Sequence, residues 1–327
     1  MQNNSTILIT GGTGSFGQKF VHMVLKQYKP KKIIIFSRDE QKQNEMFKKF
    51  NSNKLRFFIG DVRDKSRLYR ALDGVDYVIH AAALKIVPTA EYNPFETIKT
   101  NIVGAMNVID ACLDRKIKKV VALSTDKASS PINLYGATKM ASDKLFVAAN
   151  NYSGNNKTIF SIVRYGNVMG SRGSVIPFFI DIKKKNEFPI TNKDMTRFMI
   201  TLEEGVDLVF HAFKNMNGGE IYVKKIPSMR VIDIAKAINS QAKIKIIGIR
   251  PGEKIHEQMV SEDEAIYTYE YNNYYKILPA INDWYKDKSR IGKGIKVPKN
   301  FSYNSLNNKN TMTVNELKKW IKLNFSH

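Results

Sequence analysis

The sequence predicts an α/β protein: a doubly wound parallel sheet followed by a smaller C-terminal lobe. Two observations carry this. Six short β-branched runs alternate with stretches of helical spacing through the first half of the chain, the signature of strands buried on both faces. After about Val168 that rhythm breaks into turn-rich segments and isolated helices. A chain of 327 residues is long for one domain and suits two lobes sharing a cleft. We set the boundary so that residues 1–168 form the sheet domain and 169–327 mainly the smaller lobe, with some segments expected to pack back on the first.

The elements follow in order. "STILIT" ends in glycines and leads into "FGQKFVHMVLKQY", whose apolar positions recur at helical spacing. "KKIIIF" is the second run, "KLRFFIG" the third, "VDYVIHAA" the fourth, "KKVVALS" the fifth and "KTIFSIVRY" the sixth. Between them "DKSRLYRAL" and "PFETIKTNIVGAMNVIDACLDRK" read as helices. Beyond Val168, "MGSRGSVIPFFIDIKKKNEFPI" opens with turn chemistry and continues as a helix. "TLEEGVDLVFHAF" and "RVIDIAKAINSQ" predict helices, and "EIYVKK" a strand. The stretch from Lys286 to Asn310 is rich in Lys, Asn, Gly and Pro, as a surface connection would be. The last helix is expected near Thr313, where Thr313-x-x-Glu316 forms a capping-box pattern ahead of "LKKWIKL".

Composition excludes more than it selects. The chain is 43% hydrophobic and 25% charged, ordinary for a soluble globular protein. Its one cysteine, Cys112, rules out an internal disulfide and fits a reducing, cytoplasmic setting. The N-terminus runs almost directly into the first strand, so no signal peptide is expected. No apolar run approaches the roughly 20 residues needed to span a bilayer. The net charge of +22 raises the question of nucleic acid or an anionic surface. Of the 52 basic residues 40 are lysine and 12 arginine, scattered among Asn and Ile, with no RNA-binding or zinc-finger signature. We read the charge as compositional bias and expect neither nucleic acid nor membrane as a partner. His22, His80, His211, His256 and His327 lack metal-ligand spacing, so no metal is expected. No G-x-S-x-G elbow marks a serine hydrolase.

"TGGTGSFG" lies between the first strand and the first helix, with Gly11, Gly14 and Gly17 three apart. A dinucleotide-binding turn needs glycine for a tight bend, for close approach of the backbone to a pyrophosphate, and for helix–sheet packing. The helix then points its positive end at the phosphates. This makes the sheet domain Rossmann-type. The second strand ends in "IIIFSRDE". An NAD site would carry an acid at the strand tip; here the tip is Ser37-Arg38, and the acid, Asp39, comes one place later. A serine and an arginine suit a 2′-phosphate, so NADP is favoured over NAD. Arg38 as a solvated surface arginine is the alternative. Asp61-Val62, after the third strand, is placed to grip an adenine; Asp61 could equally cap the helix that begins near Asp64.

Tyr135 and Lys139 in "YGATK" are four apart and share a helix face. A free phenol titrates near ~10, so it needs a nearby cation to act as a base at neutral pH. Together with the glycine turn, this pair resembles the extended short-chain dehydrogenase/reductase family. The resemblance implies that Tyr135 is the hydride-transfer acid/base and that Lys139 lowers its pKa and holds the nicotinamide ribose. It also implies a cofactor set of Gly11, Thr13, Gly14, Ser15, Phe16, Gly17, Ser37, Arg38, Lys42, Asp61, Val62, Ala81, Tyr135, Lys139 and Val168.

Just upstream stands Thr125-Asp126-Lys127. Sugar-nucleotide 4,6-dehydratases carry Thr-Asp-Glu here, and lysine in place of glutamate resembles the inverting UDP-N-acetylglucosamine 4,6-dehydratases that open the pathway to pseudaminic acid. "AAALKIVPTAEYNPFE", "RYGNVMGSRGSVIPFF", "MTRFMITLEEGVD" and "RPGEKIHEQMVSEDEA" are similar to the same subfamily, so the likeness extends to about Trp284. It implies that a neutral Lys127 removes the C5 proton and that a protonated Asp126 supplies the proton for the departing C6 hydroxyl. The extra couple has a reason: Tyr135 and Lys139 serve oxidation, and elimination needs its own base and acid. The resemblance further implies Lys85, Thr125, Asp126, Asn167 and Val175 as substrate contacts. It makes Arg197 and Arg250 diphosphate clamps and Glu253 a partner of the uridine ribose. UDP-N-acetylglucosamine is the implied substrate, and a homo-oligomer the implied assembly, dimer-based with a hexamer possible. A retaining 4,6-dehydratase or a UDP-sugar 4-epimerase on the same fold is the rival reading, and a non-enzymatic NADP-binding protein the distant one.

Overall fold

The computed structural model describes residues 2–154, 157–185, 187–241 and 243–325. Its first half alternates strictly: β1 (Thr6–Thr10), α1 (Ser15–Gln27), β2 (Lys32–Ser37), α2 (Glu40–Phe50), β3 (Leu55–Ile59), α3 (Lys65–Ala71) and β4 (Tyr77–His80). Two short helices, α4 (Val87–Tyr92) and α5 (Pro94–Ile98), then lead into α6 (Gly104–Asp114). β5 (Lys119–Thr125), α7 (Leu134–Ala148) and β6 (Ile159–Tyr165) complete the run. All six strands are parallel, in the order β3-β2-β1-β4-β5-β6. The strand order reverses between β1 and β4, and a crevice opens beyond the carboxyl ends of strands at such a point. The β-branched runs explain the burial: every residue of β1 and of β4 is buried.

The long helix expected from Pro94 to Lys116 is interrupted by a π-turn at Lys99–Val103. Asn101, 1% exposed, sits in it. Its amide donates to Leu84 O (2.9 Å) and Thr138 Oγ1 (3.0 Å), and its Oδ1 accepts from Leu84 N (2.8 Å). The wider turn thus fixes the loop after β4 to α7, a use for which π-turns recur near functional sites.

The second half begins with β7 (Asn167–Val168), α8 (Val175–Asp181), β8 (Glu187–Ile190), β9 (Thr196–Ile200), α9 (Leu202–Asn215) and β10 (Ile221–Lys224). It continues through β11 (Ser228–Arg230), α10 (Val231–Ile238), β12 (Lys243–Ile246), β13 (Gln258–Val260), α11 (Glu262–Ala265), β14 (Thr268–Glu270) and β15 (Tyr274–Ile277). α12 (Lys288–Ile291), β16 (Ile295–Lys296), β17 (Tyr303–Asn304) and α13 (Val314–Phe325) close the chain. β10 joins the main sheet parallel to β6, and β15, β14 and β16 extend it antiparallel. Helix α9 packs beside α1, with the Phe20 and Phe210 rings 5.7 Å apart. A large share of the chain beyond residue 168 therefore belongs to the first core. The smaller lobe has its own core, in which Ile176, Phe179, Phe188, Met199, Ile234 and Leu317 are buried. The stretch from Lys286 to Asn310 carries α12, β16 and β17 rather than a bare connection, and β17 pairs with β13. α13 begins where the capping pattern predicts: Thr313 Oγ1 accepts from Glu316 N (3.2 Å), and Glu316 accepts from Thr313 N (2.7 Å).

Candidate active site

A cleft of about 1040 Å³ runs along the carboxyl ends of the strands, from Arg38 and Asp61 at one end to Thr125, Asp126 and Lys127 at the other. The glycine turn forms its floor. Gly11 has φ +65°, and a Cβ there would lie 3.0 Å from the Ala82 backbone. At Gly17 a Cβ would come within 2.2 Å of Gly12 O, so only glycine lets α1 rest on the turn. Gly14 is the N-cap of α1 and no side chain caps the helix, which leaves its first N–H groups for a ligand's phosphates. Thr13, Ser15, Phe16, Ala81 and Val168 line the same space. The donor set and the room fit a dinucleotide.

The far end of that space is lined by Ser37, Arg38, Asp39 and Asp61. Ser37 accepts a hydrogen bond from Gln43 Nε2 (3.0 Å), and Lys42 lies beside it. Asp39 is spent on capping α2: it accepts from Lys42 N (2.9 Å) and pairs with the Lys42 ammonium. Arg38 is more than half exposed and reaches Asp61 only at 3.7 Å. The cap of α3 is Asp64, which accepts from Arg67 N (2.9 Å), so the alternative of Asp61 as that cap does not hold. Asp61 instead takes Arg63 Nη2 at 2.7 Å. Burial works to raise its pKa, but Arg63 and Arg38 outweigh that and hold the carboxyl below its ordinary value. Val62 is buried at the cleft wall.

The acid–base shelf lies at the other end. β5 delivers Thr125, a tight turn carries Asp126 and Lys127, and α7 delivers Tyr135 and Lys139. Asn133 caps α7 by accepting from Gly136 N (2.8 Å). Gly136 itself is required, because a Cβ there would lie 2.3 Å from Lys127 O. Asp126 is 1% exposed; its Oδ1 accepts from Thr125 Oγ1 (3.0 Å) and Lys127 Nζ (3.2 Å), while Oδ2 has no partner. Burial raises its pKa, as an acid in elimination requires. Tyr135 is pushed up to about 12 by burial, with the Lys127 charge and hydrogen bonding to Thr125 opposing, which runs against the lowering that the resemblance assigns to Lys139. The Lys139 ammonium is depressed by burial, with Asp143 opposing.

The resemblance gives Lys127 a role that needs a neutral amine, and the structure surrounds it with groups that favour the ammonium. Burial does act to lower its pKa, but Asp126 and Glu257 override that and hold the ammonium charged. Glu257 Oε1 lies 2.8 Å from Nζ. Nothing in spacing links these two positions, and Glu257 was not singled out from "RPGEKIHEQM". The two arginines also part ways. Arg197 is buried and spends its guanidinium on the carbonyls of Thr196 (2.7 Å), Ile255 (3.0 Å) and Lys254 (2.9 Å), so it does not present the open fork expected of a diphosphate clamp. Arg250 is exposed at the cleft mouth, with no ion pair among the described residues. Arg197 and Glu253 line a side pocket of about 200 Å³, which Lys127, Asn167 and Arg250 share with the cleft. Val175 packs on the smaller lobe's core instead of lining either space, because its place at the start of α8 turns it there. Lys85 lines the cleft.

Behind the shelf Arg164 donates to Glu264 (2.9 Å) and Met259 O (2.9 Å) and pairs with Asp143 (3.4 Å), tying β6, α7 and α11 together. Of the histidines, His80 meets Thr10 Oγ1 at 3.0 Å and is pushed down to about 3 by burial and Lys139. His256 meets Thr196 Oγ1 at 2.8 Å, and His211 packs on Tyr274. His327 lies outside the described residues. Among the described residues no cluster of His, Cys, Asp or Glu has the makings of a metal site, and no helix is long and apolar enough to cross a membrane.

A parallel sheet with a glycine turn at its switch point, and a Tyr-Lys pair across the cleft, defines a dinucleotide-binding enzyme fold of the short-chain dehydrogenase/reductase type. The family described as polysaccharide biosynthesis protein matches residues 7–279, and the chain belongs to it. A relative from Campylobacter jejuni, named UDP-N-acetylglucosamine 4,6-dehydratase (inverting), is 58% identical over 324 residues, 97% of each chain. A Rickettsia bellii protein named UDP-glucose 4-epimerase is 48% identical over 282 residues, 84% of this chain and 83% of that one. Among solved structures, Pen from Bacillus thuringiensis superposes with a TM-score of 0.88 at 37% identity, covering 98% of both chains.

Proposed function

We propose that this chain is an NADP-dependent 4,6-dehydratase of UDP-N-acetylglucosamine that inverts C5, giving UDP-2-acetamido-2,6-dideoxy-β-L-arabino-hex-4-ulose early in pseudaminic acid biosynthesis. The observation that carries this reading is the second acid–base couple: Asp126 and Lys127 share one cleft with Tyr135 and Lys139. The Campylobacter relative's name supports the substrate and the reaction.

Tyr135 takes the C4 hydroxyl proton. A bound nicotinamide would supply the hydride acceptor for C4 and the hydride donor for C6. The C4 ketone acidifies C5–H; Lys127 removes that proton, and once C6 has been reduced a solvent-derived proton enters C5 from the opposite face. Asp126, whose pKa burial raises, gives a proton to the C6 hydroxyl as water leaves. Arg250 meets the diphosphate, and Glu253 the uridine ribose from the side pocket. Ser37 and Arg38 hold a 2′-phosphate, a reading supported by Asp39's commitment to its helix. The enzyme works in the cytoplasm as a homo-oligomer built on dimers. Tyr92, Phe95, Met106 and Ile132, exposed on and beside α4 to α7, support that assembly.

The test is incubation with UDP-N-acetylglucosamine, followed by mass spectrometry and proton NMR of the fresh product. Loss of one water, an L-arabino 4-keto sugar and one solvent deuterium at C5 in heavy water are expected. The name of the Rickettsia relative favours a second reading, 4-epimerisation, which would leave the mass unchanged. A D-xylo product would remove inversion and keep dehydration.

A further inference from the structure

Glu257 is 1% exposed, immediately before β13, with its Oε1 2.8 Å from Lys127 Nζ and its Oε2 buried without a hydrogen-bond partner. Its backbone N–H donates to Ser305 Oγ (2.9 Å), and Ser305 is joined to Thr196 at 2.6 Å, so the carboxylate is anchored through β9. The charged and titratable groups around this pair are Asp126 (3.2 Å from Lys127 Nζ), Arg197 (3.7 Å from Glu257 Oε1), Tyr135, Glu253 and Lys254.

A lysine must be neutral before it can accept a proton, and the Glu257 carboxylate beside it opposes its discharge into bulk water. Building on the dehydratase reading, we propose that Glu257 is the positioning residue that makes Lys127 a base: the Lys127 ammonium passes its proton to the Glu257 carboxylate across their 2.8 Å contact. One N–H bond breaks and one O–H bond forms. The products are an amine and a carboxylic acid, and the net charge of the site does not change. The ionic form of the pair depends on water, which reaches Lys127 through the cleft, where its side chain is 23% exposed. A substrate filling the cleft expels that water. Desolvation penalises both ions of the pair and spares the neutral form. The freed amine then accepts the C5 proton.

The experiment compares elimination by wild type and Glu257→Gln across the neutral to mildly alkaline range. C4 oxidation is followed separately as single-turnover absorbance of the bound nicotinamide. Wild-type elimination should be flat with pH, because the proton is relocated internally. Glu257→Gln should oxidise C4 and bind UDP-sugar as wild type does. It should eliminate water on the order of 10²-fold more slowly at neutral pH, rising roughly tenfold per pH unit as Lys127 discharges to solvent. A Glu257→Gln enzyme with the wild-type rate and profile overturns the proposal, as does one that loses oxidation and elimination equally. If glutamine at this buried position does not fold, Glu257→Asp decides: its carboxylate is one methylene short of Lys127. The same rising profile supports the proposal, and a flat profile at the wild-type rate overturns it. A wild type that releases no water-loss product overturns the dehydratase reading and this inference with it; active wild type beside unaltered Glu257→Gln overturns this inference alone.

Discussion

The two ends of the cleft are made of different materials. At the cofactor end the working groups are backbone N–H donors, presented by a turn in which Gly11 and Gly17 have no room for a side chain. At the acid–base end they are side chains whose charges act on one another: Asp126, Lys127, Glu257 and Arg197 lie in a chain of contacts between 2.8 and 3.7 Å. The first end is set by local geometry. The second is set by which distant segments meet, and a change in one member alters the protonation of the next. Substitutions at the shelf should therefore be felt mainly in chemistry, and substitutions in the turn mainly in stability and binding.

The largest expected effect comes from Tyr135→Phe. It deletes the hydroxyl that serves oxidation and keeps the ring in its buried place. Turnover should fall on the order of 10²–10⁴-fold, the usual scale for an acid–base group, with thermal stability and UDP binding little changed. Rate measurement beside a binding titration checks this. A matching collapse of binding would mean that the shelf is held together by its side chains as the turn is held by its backbone, and the contrast would fail.

The same contrast decides what was legible in the sequence. Six strands and the glycine turn could be read directly, because a β-branched run and a turn requiring glycine are local statements about backbone. Tyr135 and Lys139 were legible for the same reason, four residues apart on one helix. Glu257 was not: it reaches Lys127 only because β13 is drawn beside the turn after β5, a fact of tertiary packing. The charge state of Lys127 was not legible for the same reason, since Glu257, one of the groups that raise its pKa, comes from a distant segment. Arg197 was misjudged in the same way, its donors being spent on carbonyls that spacing does not reveal. The fold boundary was blurred for a related reason. β10, β14, β15 and β16 return to the first sheet, and nothing local to them says which sheet they will join.

An intermediate effect is expected in the turn. Gly17→Ala drives a methyl into Gly12 O, where its Cβ would sit at 2.2 Å. Either α1 lifts from β1 or the turn opens, at a cost of about 1–3 kcal/mol, the range for overpacking a tight contact. Denaturant unfolding without cofactor should show a lower midpoint. Gly14→Ala is the control: the nearest atom to its added Cβ is Gly11 O at 3.3 Å, so it should lose little stability. Equal midpoints for the two variants would mean that the contact of α1 with the turn at Gly12 is not what fixes Gly17.

The smallest effect tests the far end of the cofactor space, where the turn's backbone gives way to one side chain. Arg38 is more than half exposed, and its pairing with Asp61 at 3.7 Å is of the kind worth well under 1 kcal/mol at a surface. Arg38→Ala should therefore leave the unfolding midpoint unchanged. The guanidinium is also the charge best placed for a 2′-phosphate, since Asp39 is turned back onto α2 and Asp61 is occupied by Arg63. Losing a charge-assisted contact to an exposed phosphate should weaken NADP about tenfold and leave NAD affinity unaltered, so that the preference narrows without the site collapsing. Calorimetric titration of both dinucleotides into wild type and Arg38→Ala measures this. Equal weakening of NADP and NAD would assign Arg38 to the adenine rather than the phosphate. A wild type that binds NAD more tightly would mean that the acid at position 39 leaves its cap to meet a ribose.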